Sequence, residues 1–255
     1  MYDRPTIMLV QFRQSQAAAR LELASIARAV APYADVVPVC GVTTDIRECV
    51  SDFDGVILGG SGDYDFDGAR HHDDVVRQET KRILASVAPT FDYIFDTDMP
   101  LFGICFGHQL MGAFAGAPVY HDIQQSKTKT HRVILESDGL GHRLCANLPL
   151  TFDAQYGHKD VLAHVPSGAT LLARGGEACL VSALAYSQRI MSTQFHPELT
   201  LADMHERVVH IPHYLPEGKT IDDIYTDTPH APTLLQNFAQ LCMALRMSSV
   251  TLKTY

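Results

Sequence analysis

The run PLFGICFGHQLMGAFAG, Pro100 to Gly116, constrains the fold of this chain more than any other stretch. Leu101, Phe102 and Ile104 read as a short strand buried on both faces, and from about Gly107 the composition turns helical with no loop between. Only a sharp strand-to-helix reversal joins two such elements. Gly103 and Gly107 flank Cys105 at the positions where side chains would crowd that reversal. In an open α/β sheet the C-terminal end of a central strand is where ligand sites lie, so Cys105 is placed for chemistry.

The rest of the N-terminal half has the same grammar. TIMLVQF (Thr6 to Phe12) is an apolar strand, followed by a helical run that Ser15 can cap and Pro32 helps to end. ADVVPVC and FDGVILGG are two more strands, separated by a short helical or irregular piece around Asp45 to Val50. A helix is expected from about Asp73 to Val87, broken at Pro89, with a second amphipathic piece reaching about Phe95. This alternation specifies an open, mostly parallel α/β sheet flanked by helices. From Ala117 to about Phe195 it gives way to short β-like runs with turn residues between them, an added antiparallel region. Helix returns at about Leu199 to Val209 and at PTLLQNFAQLCMALRM, with a long Pro- and Asp-containing loop between. The expected organisation is one domain over residues 1–255, with a C-terminal extension from about 200–255.

Charge and cysteine usage narrow the function. Lys and Arg number 20 against 29 Asp and Glu, a net charge of -9, which speaks against unaided binding to nucleic acid or to anionic membranes. The six cysteines include no CxxC pair and read as reduced thiols. Neither a signal-peptide pattern nor an uninterrupted apolar segment of about 18 residues is found, so a soluble, cytoplasmic protein is expected.

Gly103-x-Cys105-x-Gly107 is the cysteine form of a nucleophile elbow. The helix N-terminus beside the sulfur favours thiolate, and the Phe106 N–H is left to meet a developing oxyanion. A buried structural cysteine in a Gly-rich turn explains the five residues equally well. A base decides between them. In STQFHPELT, His196 follows a β-like run and Glu198 lies two residues on, with Pro197 restraining the backbone between them. In a Cys-His-acid arrangement the imidazole takes the thiol proton and later protonates the leaving amine, while the carboxylate holds its tautomer and stabilises the imidazolium.

With GICFGHQL and QFHPE in this order and setting, the chain resembles the class I, triad-type glutamine amidotransferases over roughly residues 6–200. The resemblance implies a flavodoxin-like sheet, no metal or organic cofactor, and Cys105, His196 and Glu198 as the triad. VILGGSGD sits where that family has a Gly-rich loop contributing the second oxyanion amide, which maps to Gly60, with Ser61 in place of the usual proline. Gln109 matches a position that helps hold the substrate glutamine. QYGHKD resembles the SHGD segment in the amidotransferase domains of GMP synthetases, placing the substrate-gripping backbone at Gly157 and His158, with Lys159 replacing a glycine.

The implied reaction is hydrolysis of the L-glutamine side-chain amide through a cysteinyl thioester. Because no acceptor domain fits in this chain, ammonia is expected to pass to a separate synthase or synthetase. Alternatives are a free-standing γ-glutamyl peptide or amide hydrolase and a non-catalytic binding or regulatory protein; an elbow-cysteine sheet protein of another kind is disfavoured by the late HPE. Other features have plainer readings. His205, His210 and His213 have spacings unsuited to a metal site on one helical face, and DYDFDG (Asp63, Asp65, Asp67, Gly68) lacks the Glu that a calcium loop needs, Asp74 standing there instead. That acidic loop is instead a candidate rim of the site. His71, His72 and TKTH (Thr128 to His131) read as solvated surface, with Lys127, Lys129 and His131 candidates to meet an acidic patch on a partner protein, and the loop of the C-terminal extension reads as an inert connector rather than a cover for the site or a subunit contact.

Overall fold

The structure is a computed structural model describing residues 4–210, 215 and 217–252. Its centre is a nine-stranded sheet in the order β2-β1-β3-β4-β11-β10-β9-β6-β7. β1 (Thr6–Gln11), β2 (Asp35–Cys40), β3 (Gly55–Leu58), β4 (Leu101–Ile104) and β11 (Ile190–Thr193) pair in parallel. β10 (Ala183–Ala185), β9 (Thr170–Arg174), β6 (Lys127–Leu135) and β7 (Thr151–His158) continue the sheet antiparallel from β11. The antiparallel region expected from the sequence is thus joined edge to edge with the parallel one. β5 (Val119–His121) and β8 (Asp160–Leu162) form a separate two-stranded ribbon, of which β8 had no clear sequence signal.

The central strands β3 and β4 are buried at every position, as continuous apolar runs covered on both faces must be. β2 is the exposed edge and tolerates Pro38, which has no N–H to donate. Alternate residues of β1 feed two cores. Ile7 and Leu9 join Ile26, Ala29 and Val30 of α1 (Gln16–Val30) and Leu234, Leu235 and Phe238 of α7 (Thr233–Leu252) on one face. Met8 and Val10 join Ile83, Val87, Phe91 and Ile94 of α3 (Val75–Thr97) and Phe106, Leu110 and Met111 of α4 (Phe106–Phe114) on the other. α2 (Ile46–Cys49) follows β2, α5 (Ser137–Gly141) follows β6 and α6 (Leu201–His210) follows β11.

Two expectations are corrected. α3 runs unbroken through Pro89. Its buried positions Ile83, Val87, Phe91 and Ile94 keep helical spacing across the proline. Pro89 and Ala85, the residue whose carbonyl loses a donor, are both exposed, so water can replace the lost bond. Lys127 is not open to a partner's acidic patch: it is 5% exposed, in β6. Its ammonium lies 6.0 Å from the Tyr156 ring centroid, and burial lowers its pKa. Lys129 is exposed as expected, whereas His131 is half-buried and its Nε2–H donates to Gly175 O at 2.9 Å.

Candidate active site

Cys105 caps α4 with φ 52° and ψ −98°, outside the regions a non-glycine residue prefers, and such backbone strain costs about 1–3 kcal/mol. The flanking glycines are required by close approach. A Cβ on Gly103 would lie 2.5 Å from Met111 Sδ, and one on Gly107 only 2.6 Å from Leu58 O. The elbow is therefore locked between α4 and β3.

The parallel pairing of β4 with β11 brings the base to the thiol. Ile104 is in register with Thr193, and Cys105 N–H donates to Thr193 O at 2.7 Å. Three residues on, His196 N–H donates to Gln155 O of β7 at 2.8 Å, which ties the segment to the antiparallel half. His196 Nδ1 meets Glu198 Oε1 at 2.8 Å, both side chains being buried. Burial opposes a charge on His196, but the Glu198 carboxylate and Cys105 outweigh it and push its pKa up to about 9. Burial likewise opposes ionisation of Glu198, and His196 with Arg207 reverses this and holds it below the usual carboxylate range. A Cβ built on Gly60 would fall 2.9 Å from His196 Cε1 and 3.5 Å from Cys105 Cβ, so the three residues converge on one point.

Around that point the thiol donates to Gly157 O at 3.7 Å and accepts from Gln194 Nε2 at 3.6 Å. Gln109 is buried and donates to Asp160 O at 2.8 Å. An open cleft at Cys105 is lined by Ser61, Tyr64, Asp65, Gln109, Gly157 and His158, among others. His158 is buried with its pKa lowered to about 3, first by burial and then by Lys127, and its Nε2–H donates to Gln125 O. Phe106 opens α4, and its ring packs edge-on against Phe12.

The Gly60 amide is not presented as the sequence led us to expect. It donates to Glu22 Oε1 at 3.1 Å, inside the protein. Glu22 is fully buried on α1 and also accepts from Arg13 Nη2 at 2.8 Å and Gln11 Nε2 at 3.1 Å. A carboxylate one turn before Ile26 on the apolar face of α1 was the signal in the sequence. Gln194 and Arg207 were also missed; Arg207 is 4% exposed, with Nη2 3.8 Å from Glu198 Oε1.

The acidic loop does rim the cleft, through Tyr64 and Asp65. Its carboxylates diverge onto partners of their own: Asp65 onto Arg70, Asp67 onto Arg77, Asp63 onto Gln14 N, and Asp74 onto the first turn of α3. Among the described residues no group of acids, histidines and cysteines has the arrangement of a metal site. His205 faces Asp222 at 3.3 Å, the His210 side chain and His213 lie outside the described residues, and His71 and His72 are exposed. No described helix is long and apolar enough to cross a membrane. The extension is more than an inert connector: Gln155 Nε2 donates to Thr226 O at 2.8 Å, and Tyr225 is buried.

Comparison with known proteins agrees with this geometry. The family model for glutamine amidotransferase class-I matches residues 23–210. A GMP synthase [glutamine-hydrolyzing] of Wolbachia sp. subsp. Brugia malayi is 31% identical over 153 residues, covering 60% of this chain and 27% of that protein. A GMP synthase [glutamine-hydrolyzing] subunit from Methanocaldococcus jannaschii is 31% identical over 130 residues, 48% of this chain and 66% of that one. The chain thus spans less than two thirds of the length of these relatives. A glutamine amidotransferase structure from Thermotoga maritima superposes with a TM-score of 0.66 at 17% identity, covering 96% of this chain and 94% of its own, and shares the fold. An elbow cysteine, a buried His-Glu pair just beyond the adjacent parallel strand and a family match over most of its length together show that this chain belongs to the class I glutamine amidotransferases.

Proposed function

We propose that this chain hydrolyses the side-chain amide of L-glutamine to glutamate and ammonia through a thioester on Cys105, and that the ammonia goes to an acceptor enzyme on a separate polypeptide. The observation that carries the reading is the convergence of Gly60, Cys105 and His196, with Glu198 on the far nitrogen of the imidazole. Cys105 Sγ attacks the amide carbon with its proton already passed to His196. The C–N bond then breaks as His196 returns that proton to the departing ammonia. Water, deprotonated by the same imidazole, opens the thioester, releasing glutamate and restoring the thiol.

The Phe106 N–H at the start of α4 is one donor to the tetrahedral oxyanion, and Gly60 is the second once its peptide turns from Glu22 to the cleft. Gln109, Gly157 and His158 line the cleft where the amino-acid end of glutamine is held. Support for a separate acceptor comes from the Methanocaldococcus relative, which is itself named as one subunit of a synthase. The test is a panel of glutamine and γ-glutamyl peptides with the purified chain, measuring glutamate and amine release. Glutamine turnover that disappears in Cys105→Ala is expected. Release from γ-glutamyl peptides but not from glutamine would replace this reading with a peptide hydrolase, and no release from any of them would leave a binding protein.

A further inference from the structure

Arg207 is an unusual residue to find where it is. It lies on α6, is 4% exposed, and lines a narrow crevice beside His196 with Gln155, Gly157, Leu199 and Met204. Its Nη2 is 3.8 Å from Glu198 Oε1, the same oxygen that meets His196 Nδ1. Glu198 Oε2 and Arg207 Nε and Nη2 are buried, with no hydrogen-bond partner among the described residues. A buried guanidinium is costly unless an anion compensates it, and the anion within reach is the triad acid. The helix that carries it is itself anchored: Asp203 accepts from Ser25 Oγ at 3.0 Å and from Arg28 Nη2 at 2.5 Å, and Arg28 also donates to Glu198 O at 3.3 Å.

We propose that Arg207 is a positioning residue of the triad, neutralising Glu198 and holding its carboxylate in place so that it stays hydrogen-bonded to His196. The inference rests on the triad assignment above and extends it to α6. The charged and titratable groups around Glu198 are His196 on its own segment, Arg207 and Asp203 on α6, Arg28 on α1, and, beyond His196, Cys105 on the elbow and the neutral His158 on β7. Arg28 reaches the backbone carbonyl of Glu198 and is itself paired with Asp203, so among the described residues Arg207 is the cation facing the carboxylate.

The consequence has a definite sign. His196 and Glu198 share a hydrogen bond and titrate as a pair, and taking away a neighbouring cation raises the pH at which the pair takes up a proton, whichever member receives it. Arg207→Met and Arg207→Gln are therefore expected to move the acid limb of kcat/KM upward by about one pH unit. The acid limb of Cys105 alkylation, followed by peptide-resolved mass spectrometry, should move with it. Arg207→Lys keeps the charge and should leave both limbs near wild type. A purely structural arginine would lower the melting temperature of the neutral variants and leave both limbs in place, and that result would overturn the proposal.

The alkylation limb needs no turnover. If wild type fails to hydrolyse glutamine and the alkylation limb still shifts, the glutaminase reading falls and the Arg207 role stands; with normal turnover and unshifted limbs, the glutaminase reading stands and the Arg207 role falls. Should both neutral variants fail to fold, the coupling is read from the other side. Glu198→Gln must then speed solvent exchange of the Arg207 side-chain protons in NMR, and unchanged exchange would overturn the proposal.

Discussion

Cys105 differs from the other buried thiols in its backbone and its neighbours more than in its exposure. Cys105, Cys145, Cys179 and Cys242 are all buried, but Cys105 alone among them has a positive φ and sits at the head of a helix. Burial pushes the Cys145 thiol up to about 12 and Cys179 up to about 11, which makes both poor nucleophiles at neutral pH. A glutamine-shaped electrophile should therefore label Cys105 alone, as read by peptide mass spectrometry. A small alkylating agent should also label exposed Cys40, where burial's upward push is outweighed by hydrogen bonds from Thr43 and the Val42 backbone. Equal labelling of Cys145 or Cys179 by the glutamine analogue would contradict the assignment. The acid is tested by rank: Glu198→Gln keeps the shape and loses the charge, so kcat/KM should fall less than in His196→Ala but by at least about tenfold. The pair also leaves a mark on stability. With its folded pKa near 9 against an ordinary 6.5, His196 stabilises the fold in full below pH 6.5 and ceases to as pH rises through 9. The melting-temperature difference between wild type and His196→Asn should shrink across that window. At this scale the meeting of Cys105, His196 and Glu198 was legible, because a cysteine between two glycines and an HPE after a strand are each local patterns. Glu22 and Arg207 were not, since their roles depend on what α1 and α6 pack against.

The elbow works because two elements approach more closely than side chains allow. Gly107 touches Leu58 O of β3, so Gly107→Val forces either β3 or the start of α4 to move. Overpacking of this kind costs typically about 1–3 kcal/mol, and the displaced helix start carries the Phe106 N–H with it. Loss of most activity with a lowered but cooperative thermal transition is the expected result, and full activity would mean that the turn tolerates the shift. The same packing logic explains which elements could be read in advance. Strands covered on both faces are continuous apolar runs, so β1, β3 and β4 stood out, and the capped α1 followed from Ser15, whose Oγ accepts from Ala18 N. The three-residue β8 is shorter than any periodicity can reveal, and its ladder to β5 is fixed by packing of Leu162 against α4 at Gly112. Pro89 misled because a proline's effect depends on whether its helix face is wet, which the apolar spacing around it implied only in retrospect. Lys127 misled because a lysine among polar neighbours reads as surface, and only its place opposite His158 in the β6–β7 ladder buries it.

Across the whole molecule the proposed site is assembled from β4, β11, β7, the loop after β3 and the C-terminal extension, and one of these parts is set against turnover. Gly60 N–H is held by Glu22, itself fixed by a buried ion pair to Arg13 whose two side chains are 0% and 3% exposed. An oxyanion donor that points elsewhere forfeits about 3–4 kcal/mol of transition-state stabilisation, a factor of about 10²–10³ in kcat. Ser61 follows Gly60 where proline would stiffen the loop, so the peptide retains the freedom to turn. The isolated chain is therefore expected to bind glutamine but hydrolyse it slowly. A docked acceptor that reorders residues 60–70 would raise kcat far more than it changes KM, because the gained bond exists only in the transition state. Glu22→Gln offers the same release without a partner: the neutral amide is a weaker acceptor for Gly60 N–H, so basal kcat should rise several-fold. The variant should also lose about 3 kcal/mol or more of stability, because the buried Arg13–Glu22 pair loses its anion. Steady-state kinetics on the purified chain and on Glu22→Gln decide the matter. A wild-type kcat already at the level of partnered enzymes, with no gain in Glu22→Gln, would mean that Gly60 has no part in the oxyanion hole and that another amide supplies the second donor, with that of Ser61, a residue lining the cleft, the first to test.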